Sequence, residues 1–91
     1  MSDSNSKNAP YIIFTREGCS YCLRAAEAIS ASGGRYILES IDNGAPDFLQ
    51  AITGASRPSV PQIFHMGEHI GGFTSLEVYL KDALTGSKPV L

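Results

Sequence analysis

The pattern of hydrophobic and polar positions predicts a strand, a helix and a second strand in the first half of the chain. A β-branched and aromatic run covers 11–15, which is typical of a strand buried on both faces. From Cys19 to about Ser32 small and apolar helix formers predominate, and Gly33-Gly34 ends the predicted helix. The second strand covers 35–41. Strand, helix and strand within about thirty residues form a βαβ unit, which has parallel strands and a right-handed crossover.

The second half of the chain predicts a short helix, a β-hairpin and a final helix. Apolar residues recur at helical spacing between about 45 and 52. The segments 62–66 and 69–72 flank Gly67-Glu68 as the two strands of a hairpin, and the last helix runs from about 75 to 84. The order βαβ-α-ββ-α predicts an α/β protein of thioredoxin-like fold, in which a four-stranded mixed β-sheet is flanked by three helices.

The length and the two ends of the chain predict one domain. With 91 residues there is no room for a second domain. The first ten residues are rich in Ser and Asn, and we expect a flexible leader over 1–10, the folded domain over 11–84 and a tail over 85–91.

Charge and hydropathy exclude several classes of protein. Seven basic and nine acidic residues give a net charge of −2, whereas nucleic-acid binders usually carry a basic patch. No apolar run approaches the roughly 18–20 residues of a membrane span, and the polar start lacks the apolar stretch of a secretory signal. We therefore expect a cytoplasmic protein that binds neither nucleic acid nor a membrane.

The candidate chemistry lies in two cysteines, Cys19 and Cys22, where the first strand ends and the first helix begins. A thiol at a helix N-terminus faces unpaired backbone N–H groups and the positive end of the helix dipole, which stabilise a thiolate. Thiols in such Cys-x-x-Cys sites have pKa values lowered from about 8.5 to roughly 3.5–7.5. We expect Cys19 to be the exposed nucleophile and Cys22, one turn further, to be the more buried resolving thiol.

Two other interpretations of the cysteines remain open from the residues alone. Both can be small hydrophobic residues of a core, because free cysteine is often buried. Cys19 and Cys22 also form a superficial zinc set with His65 and His69, but about 42 residues separate the two pairs. Short zinc fingers have roughly 12–15 residues there, so the spacing argues against zinc and we expect no metal site.

Four segments together resemble the glutaredoxin family, in particular its small bacterial dithiol members. They are Thr15–Cys22, which contains Cys-Ser-Tyr-Cys; Ser59–Phe64, with Val-Pro; His69–Gly72, with Gly-Gly; and Phe73–Ser75, at the start of a helix. The similarity spans roughly 11–84. It implies a glutathione-dependent oxidoreductase that reduces protein disulfides and glutathione mixed disulfides. Its partners would be glutathione, as co-substrate, and disulfide-bearing or glutathionylated proteins.

The resemblance also implies a glutathione site. The Val60-Pro61 peptide would be cis and would offer the Val60 backbone to an extended peptide. Arg16 and Arg57 would meet the glycyl carboxylate, and Tyr21 would cover the disulfide. Many relatives have Asp where this chain has Ser75, so its glutathione affinity would be lower. The implied glutathione-binding residues are Arg16, Tyr21, Arg57, Ser59, Val60, Pro61, Gly72, Thr74 and Ser75.

Ser20 is a second departure from the family, because most dithiol relatives have proline at this position. Some relatives with such changes hold a [2Fe–2S] cluster between two protomers, so Cys19 is an alternative cluster ligand. The chain would then be a cluster carrier or redox sensor and a dimer, whereas the oxidoreductase would be a monomer. A reductant served by a flavin reductase and a purely structural binding module are further alternatives.

Overall fold

Seven elements make up the part of the chain that the structure, a computed structural model, describes, residues 9–85. Most of the expected leader and tail lies outside this range. The strands are β1 (Tyr11–Thr15), β2 (Tyr36–Ser40), β3 (Gln62–His65) and β4 (Glu68–Gly71). The helices are α1 (Ser20–Ala31), α2 (Asp47–Thr53) and α3 (Phe73–Thr85).

The four strands form one mixed sheet in the order β2-β1-β3-β4. β1 is parallel to β2 and antiparallel to β3, and β3 and β4 form the hairpin. Ile13 of β1 stands beside Leu38 of β2 and Ile63 of β3. The predicted fold, a four-stranded mixed sheet with three helices, is therefore confirmed.

Each face of the sheet has its own hydrophobic cluster. Alternate residues of β1 point to opposite faces, so Ile13 joins the cluster beneath α1 and α3 while Phe14 joins the one beneath α2. Ile29 and Leu76 pack on the first face, and Leu49 on the second. β1 is thus an inner strand packed on both faces, and the loop that follows it leads to Cys19 and the start of α1.

Two details differ from the sequence predictions, and a third feature was not predicted. The hairpin turn is Met66-Gly67 rather than Gly67-Glu68, with both residues at positive φ. α3 begins at Phe73 rather than near Ser75, which puts Thr74 inside its first turn. β2 is exposed along its whole length, although its sequence is largely apolar. As an edge strand it has a neighbour on one side only, and α2 covers the strands further in.

Candidate active site

The two cysteines lie at the start of α1 and are joined by a disulfide bond. Cys19 is the N-cap residue, and the Cys22 backbone N–H donates to its Sγ over 3.1 Å. Cys19 is partly exposed, whereas Cys22 is 2% exposed. Their Cα atoms are 5.3 Å apart. After reduction the same N–H and the helix N-terminus would stabilise a thiolate at Cys19, the accessible sulfur.

The loop between β1 and α1 is fixed from two directions. The Cys19 N–H donates to the Arg16 carbonyl over 3.3 Å. The Glu17 N–H donates to the two carboxylate oxygens of Asp42, at 3.1 and 3.3 Å, and Asp42 follows β2. Gly18 completes the turn at φ 82°, a conformation that side chains disfavour. These contacts set the position from which α1 begins.

A cleft of about 330 Å³ lies beside Tyr21, between the first turn of α1, the loop before β3 and the start of α3. The Val60-Pro61 peptide bond in that loop is cis, as the resemblance implied. Gly72 approaches the same loop closely, since a Cβ there would lie 3.7 Å from the Pro61 carbonyl oxygen. The cleft is lined by Tyr21, Ser59, Val60, Pro61, Gln62, Gly72, Phe73 and Thr74.

A second depression, of about 320 Å³, lies on the β2 side of the cysteines. It reaches the two cysteines, the end of β1, the first turn of α1 and one residue of β2. Its lining residues are Thr15, Arg16, Gly18, Cys19, Ser20, Cys22, Leu23 and Leu38. We call it the Leu23–Leu38 groove.

The predicted glutathione-binding residues divide into three groups. Six of them line the cleft: Tyr21, Ser59, Val60, Pro61, Gly72 and Thr74. Arg16 instead lines the Leu23–Leu38 groove together with Cys19. Arg57 and Ser75 are exposed and line neither depression. Neither of the two arginines expected to meet the glycyl carboxylate therefore lines the cleft itself.

Several residues of the site were not found from the sequence. The Arg24 guanidinium lies over the Tyr21 ring, 5.0 Å from its centroid, and the Phe73 ring is tilted against the same ring at 5.6 Å. Arg24 follows Tyr21 by three residues on one helix, a spacing that could have indicated the contact. Gln62 was not predicted as a site residue, because the sequence does not show that its side-chain amide bonds to Ser59 in the loop before β3.

The two histidines of the superficial zinc set have other partners. His65 bonds through Nε2 to the Ala9 carbonyl at 3.2 Å and through Nδ1 to the Tyr79 hydroxyl at 2.8 Å. His69 bonds to Gln62. Among residues 9–85 there is no group of three His, Cys, Asp or Glu side chains that could hold a metal ion.

Comparison with known proteins decides the family. A family model described as Glutaredoxin matches residues 11–70. The chain belongs to the glutaredoxin family. Glutaredoxin 3 of Escherichia coli K12 is 39% identical over 79 residues, which cover 87% of this chain and 93% of that protein. A glutaredoxin of Vibrio cholerae is 38% identical over 80 residues, 80% of this chain and 92% of the relative.

Solved glutaredoxin structures share the fold. Reduced Escherichia coli glutaredoxin superposes with a TM-score of 0.64 at 36% identity, covering 84% of this chain and 98% of the other. A buckwheat glutaredoxin–glutathione complex superposes with a TM-score of 0.66 at 27% identity, covering 88% of this chain and 78% of the other. Family membership and the bonded Cys19–Cys22 pair make this glutaredoxin a thiol–disulfide oxidoreductase. None of its described helices is long and apolar enough to cross a membrane.

Proposed function

We propose that this glutaredoxin uses glutathione to reduce protein disulfides and glutathione mixed disulfides. One observation carries the proposal: Cys19 caps the N-terminus of α1, and Tyr21, two residues further, lines a cleft that contains the cis-proline loop. A buckwheat relative of the same fold has been solved in complex with glutathione, which supports the choice of ligand.

Glutathione is a short peptide, and the cleft offers the features that bind one. The Val60 backbone next to the cis-proline would exchange hydrogen bonds with the cysteinyl residue of glutathione, as between extended strands. The first turn of α3 and the Thr74 hydroxyl would bind the γ-glutamyl carboxylate of glutathione, because a helix N-terminus favours an anion. Ser75 follows in the same turn without a charge. Arg57, exposed two residues before Ser59, would take the glycyl carboxylate.

The reaction with a glutathionylated protein needs Cys19 alone. The Cys19 thiolate attacks the glutathione sulfur of the mixed disulfide, the protein thiolate leaves and takes a proton from water, and Cys19 is left bonded to glutathione. A second glutathione thiolate then attacks that glutathione sulfur, which releases oxidised glutathione and restores the Cys19 thiolate. Overall, the mixed disulfide and one reduced glutathione give the protein thiol and oxidised glutathione. The protein sulfur is reduced, the sulfur of the incoming glutathione is oxidised in its place, and the first glutathione sulfur stays at the disulfide level throughout.

A protein disulfide uses both cysteines. Cys19 attacks one sulfur of the substrate and forms a mixed disulfide, and the first substrate thiol leaves. The Cys22 thiolate then attacks the Cys19 sulfur, so the second substrate thiol leaves and the Cys19–Cys22 bond forms. Two glutathiones reduce that bond again. A monomer suffices for both routes, and a reducing compartment such as the cytoplasm would supply the glutathione.

The alternative is a [2Fe–2S] carrier with Cys19 as ligand. Cys19 is the one accessible thiol that the site offers per chain, so the remaining ligands would come from a second protomer and from glutathione. We place the oxidoreductase first because the two cysteines already form the redox-active disulfide. Visible absorption after anaerobic purification would favour the carrier instead.

The proposal is tested by glutathione-coupled reduction of a glutathionylated peptide with wild type, Cys19→Ser and Cys22→Ser in parallel. We expect Cys19→Ser to be inactive and Cys22→Ser to keep activity with this substrate. With a protein disulfide, Cys22→Ser should instead stall as a mixed disulfide. A folded wild type that does not respond to glutathione would overturn the proposal.

A further inference from the structure

The Leu23–Leu38 groove exposes apolar surface next to the reactive sulfur. Leu23 is 60% exposed and Leu38 is 45% exposed, yet both line the depression that also contains Cys19. Leu23 lies on the first turns of α1 and Leu38 on the edge strand β2. Two exposed leucines line one groove. Covering them with another apolar group is favourable, because it removes apolar surface from water.

The groove and the cleft lie on opposite sides of the cysteines. The sheet order β2-β1-β3-β4 puts β2 on one flank of β1 and β3 on the other. The groove is built against Leu38 of β2, whereas the cleft is built from the loop that enters β3. A ligand in the cleft therefore leaves the groove open. The two depressions can bind different reactants, glutathione in the cleft and a segment of a protein substrate in the groove.

We propose that the Leu23–Leu38 groove binds an apolar side chain that flanks the disulfide cysteine of a protein substrate. This inference rests on the proposed function, because the substrate is bonded to the Cys19 sulfur during the reaction. An extended chain advances about 3.3 Å per residue, so the residues next to the substrate cysteine reach the walls of a groove that contains Cys19. Glutathione has no apolar side chain besides its thiol and gains nothing from the two leucines.

The charge of the groove refines the choice of substrate. Arg16 is the one charged side chain among the lining residues. A carboxylate next to the apolar residue would meet this cation at the rim, where a partly buried ion pair is screened less than one in open solvent. The preferred segment thus has an apolar residue on one side of the cysteine and an acidic residue beyond it.

Two peptide disulfides test the proposal. The first is the homodisulfide of a peptide with Leu next to its cysteine and Asp next to that Leu, and the second has Ser at both positions. The readout is the ratio of kcat/KM for the first peptide over the second in a glutathione-coupled assay. We expect a ratio of about ten for wild type, the size of one apolar contact. Leu23→Ser and Leu38→Ser should each bring the ratio towards one.

Val78→Ser is the matched control. Val78 is 57% exposed on α3 and lines neither depression, so this exchange removes a similar apolar surface elsewhere. Its ratio should equal that of wild type, and circular dichroism verifies that every variant is folded. Arg16→Gln should lower the rate for the Asp peptide more than for an Asn version of it.

The outcomes separate this inference from the proposed function. A wild type inert towards both peptides and towards a glutathionylated peptide would overturn the proposed function. A wild type active on all three, with a ratio of one or a ratio that the leucine variants leave unchanged, would overturn the groove alone. A wild type that sediments as a dimer, and becomes a monomer on Leu38→Ser, would show that a second copy covers the groove instead.

Discussion

The His69 imidazole is bonded to the side-chain amide of Gln62 at the edge of the cleft. His69 Nε2 donates to Gln62 Oε1 over 2.8 Å, since an amide oxygen can only accept. The Gln62 Nε2 in turn donates to the Ser59 carbonyl at 3.0 Å and to its Oγ at 3.3 Å. His69 is itself stacked on Phe64, with ring centroids 4.8 Å apart. The hairpin thus holds the cis-proline loop in place through one buried glutamine.

Replacing this glutamine should loosen the loop. In Gln62→Leu the side chain keeps a similar size but loses both hydrogen bonds to Ser59 and the one from His69. We expect the KM for a glutathionylated peptide to rise several-fold, while kcat changes little because Cys19 is untouched. The free energy of unfolding should fall by about 1–3 kcal/mol, the cost of polar groups left without partners. An unchanged KM in a variant of lowered stability would mean that the glutamine serves the fold alone.

Two adjacent glycines should respond differently to alanine. Gly71 has φ 116°, and a Cβ there would lie 3.1 Å from the Ser75 Oγ and 3.2 Å from its Cβ. Gly71→Ala should therefore lower the midpoint of urea unfolding. A Cβ on Gly72 would meet the Pro61 carbonyl oxygen at 3.7 Å, an ordinary contact that nevertheless narrows the cleft. Gly72→Ala should leave stability nearly unchanged and weaken glutathione binding, measured by calorimetry. Equal effects of both exchanges on stability would contradict this distinction.

The core on the α2 face should depend on one leucine. Leu49 is fully buried between Phe14, Ile41 and Phe64. Leu49→Ala should lower the free energy of unfolding by about 2–5 kcal/mol in urea titration, because it leaves a cavity. Ile52 lies on the same short helix but is about half exposed, so Ile52→Ala is the control and should change stability by less than about 1 kcal/mol. Comparable losses in both variants would contradict this assignment, because alanine is the best helix former and helix propensity cannot account for a loss.

The free energy of unfolding should decline at alkaline pH because of two tyrosines, Tyr11 of β1 and Tyr79 of α3. Burial raises the pKa of Tyr11 and of Tyr79 above the usual 10.0, with Tyr79 and Glu68 respectively as second causes. The folded chain thus holds these phenol protons more tightly than the unfolded chain. Their contribution to stability is complete below pH 10.0 and is lost as the pH rises through the raised values.

The measurement is the slope of the unfolding free energy against pH in the alkaline range. Tyr11→Phe with Tyr79→Phe should flatten the slope. The baseline stability should also fall, because the Tyr79 hydroxyl no longer meets His65 Nδ1. Comparing slopes rather than absolute values separates the two effects. A double variant with the slope of wild type would contradict the assignment.

The sequence predicted the elements and the cysteine pair because both depend on local patterns. The apolar run of β1, the helix formers after Cys19 and the glycines of the hairpin are visible without tertiary structure. The cis Val60-Pro61 bond came from family resemblance, since proline alone permits either isomer. The exposure of an element was not predictable in the same way, because it depends on which neighbours the element acquires. The apolar sequence of β2 gives no sign that it is an exposed edge strand.

The site was predictable in part for the same reason. Six expected residues lie in one cleft because they flank the ends of elements whose order fixes the topology. Arg16 lines the Leu23–Leu38 groove instead, and local sequence does not determine which depression a loop residue lines. The side-chain amide of Gln62 donates to the Ser59 carbonyl across a turn, and the hydrophobic pattern of the sequence does not indicate such a contact.

The short separation of the two cysteines has a consequence for how redox state and folding are coupled. A bridge stabilises a protein mainly by restricting its unfolded chain, and the restriction grows with the length of the closed loop. The loop from Cys19 to Cys22 is one turn of helix, worth about 2 kcal/mol on that scale, against about 4.7 kcal/mol for a loop of 100 residues. The hydrophobic clusters on both faces of the sheet contain neither cysteine. The protein can therefore stay folded with its cysteine pair oxidised or reduced through many catalytic cycles, and electron transfer does not require a change of fold.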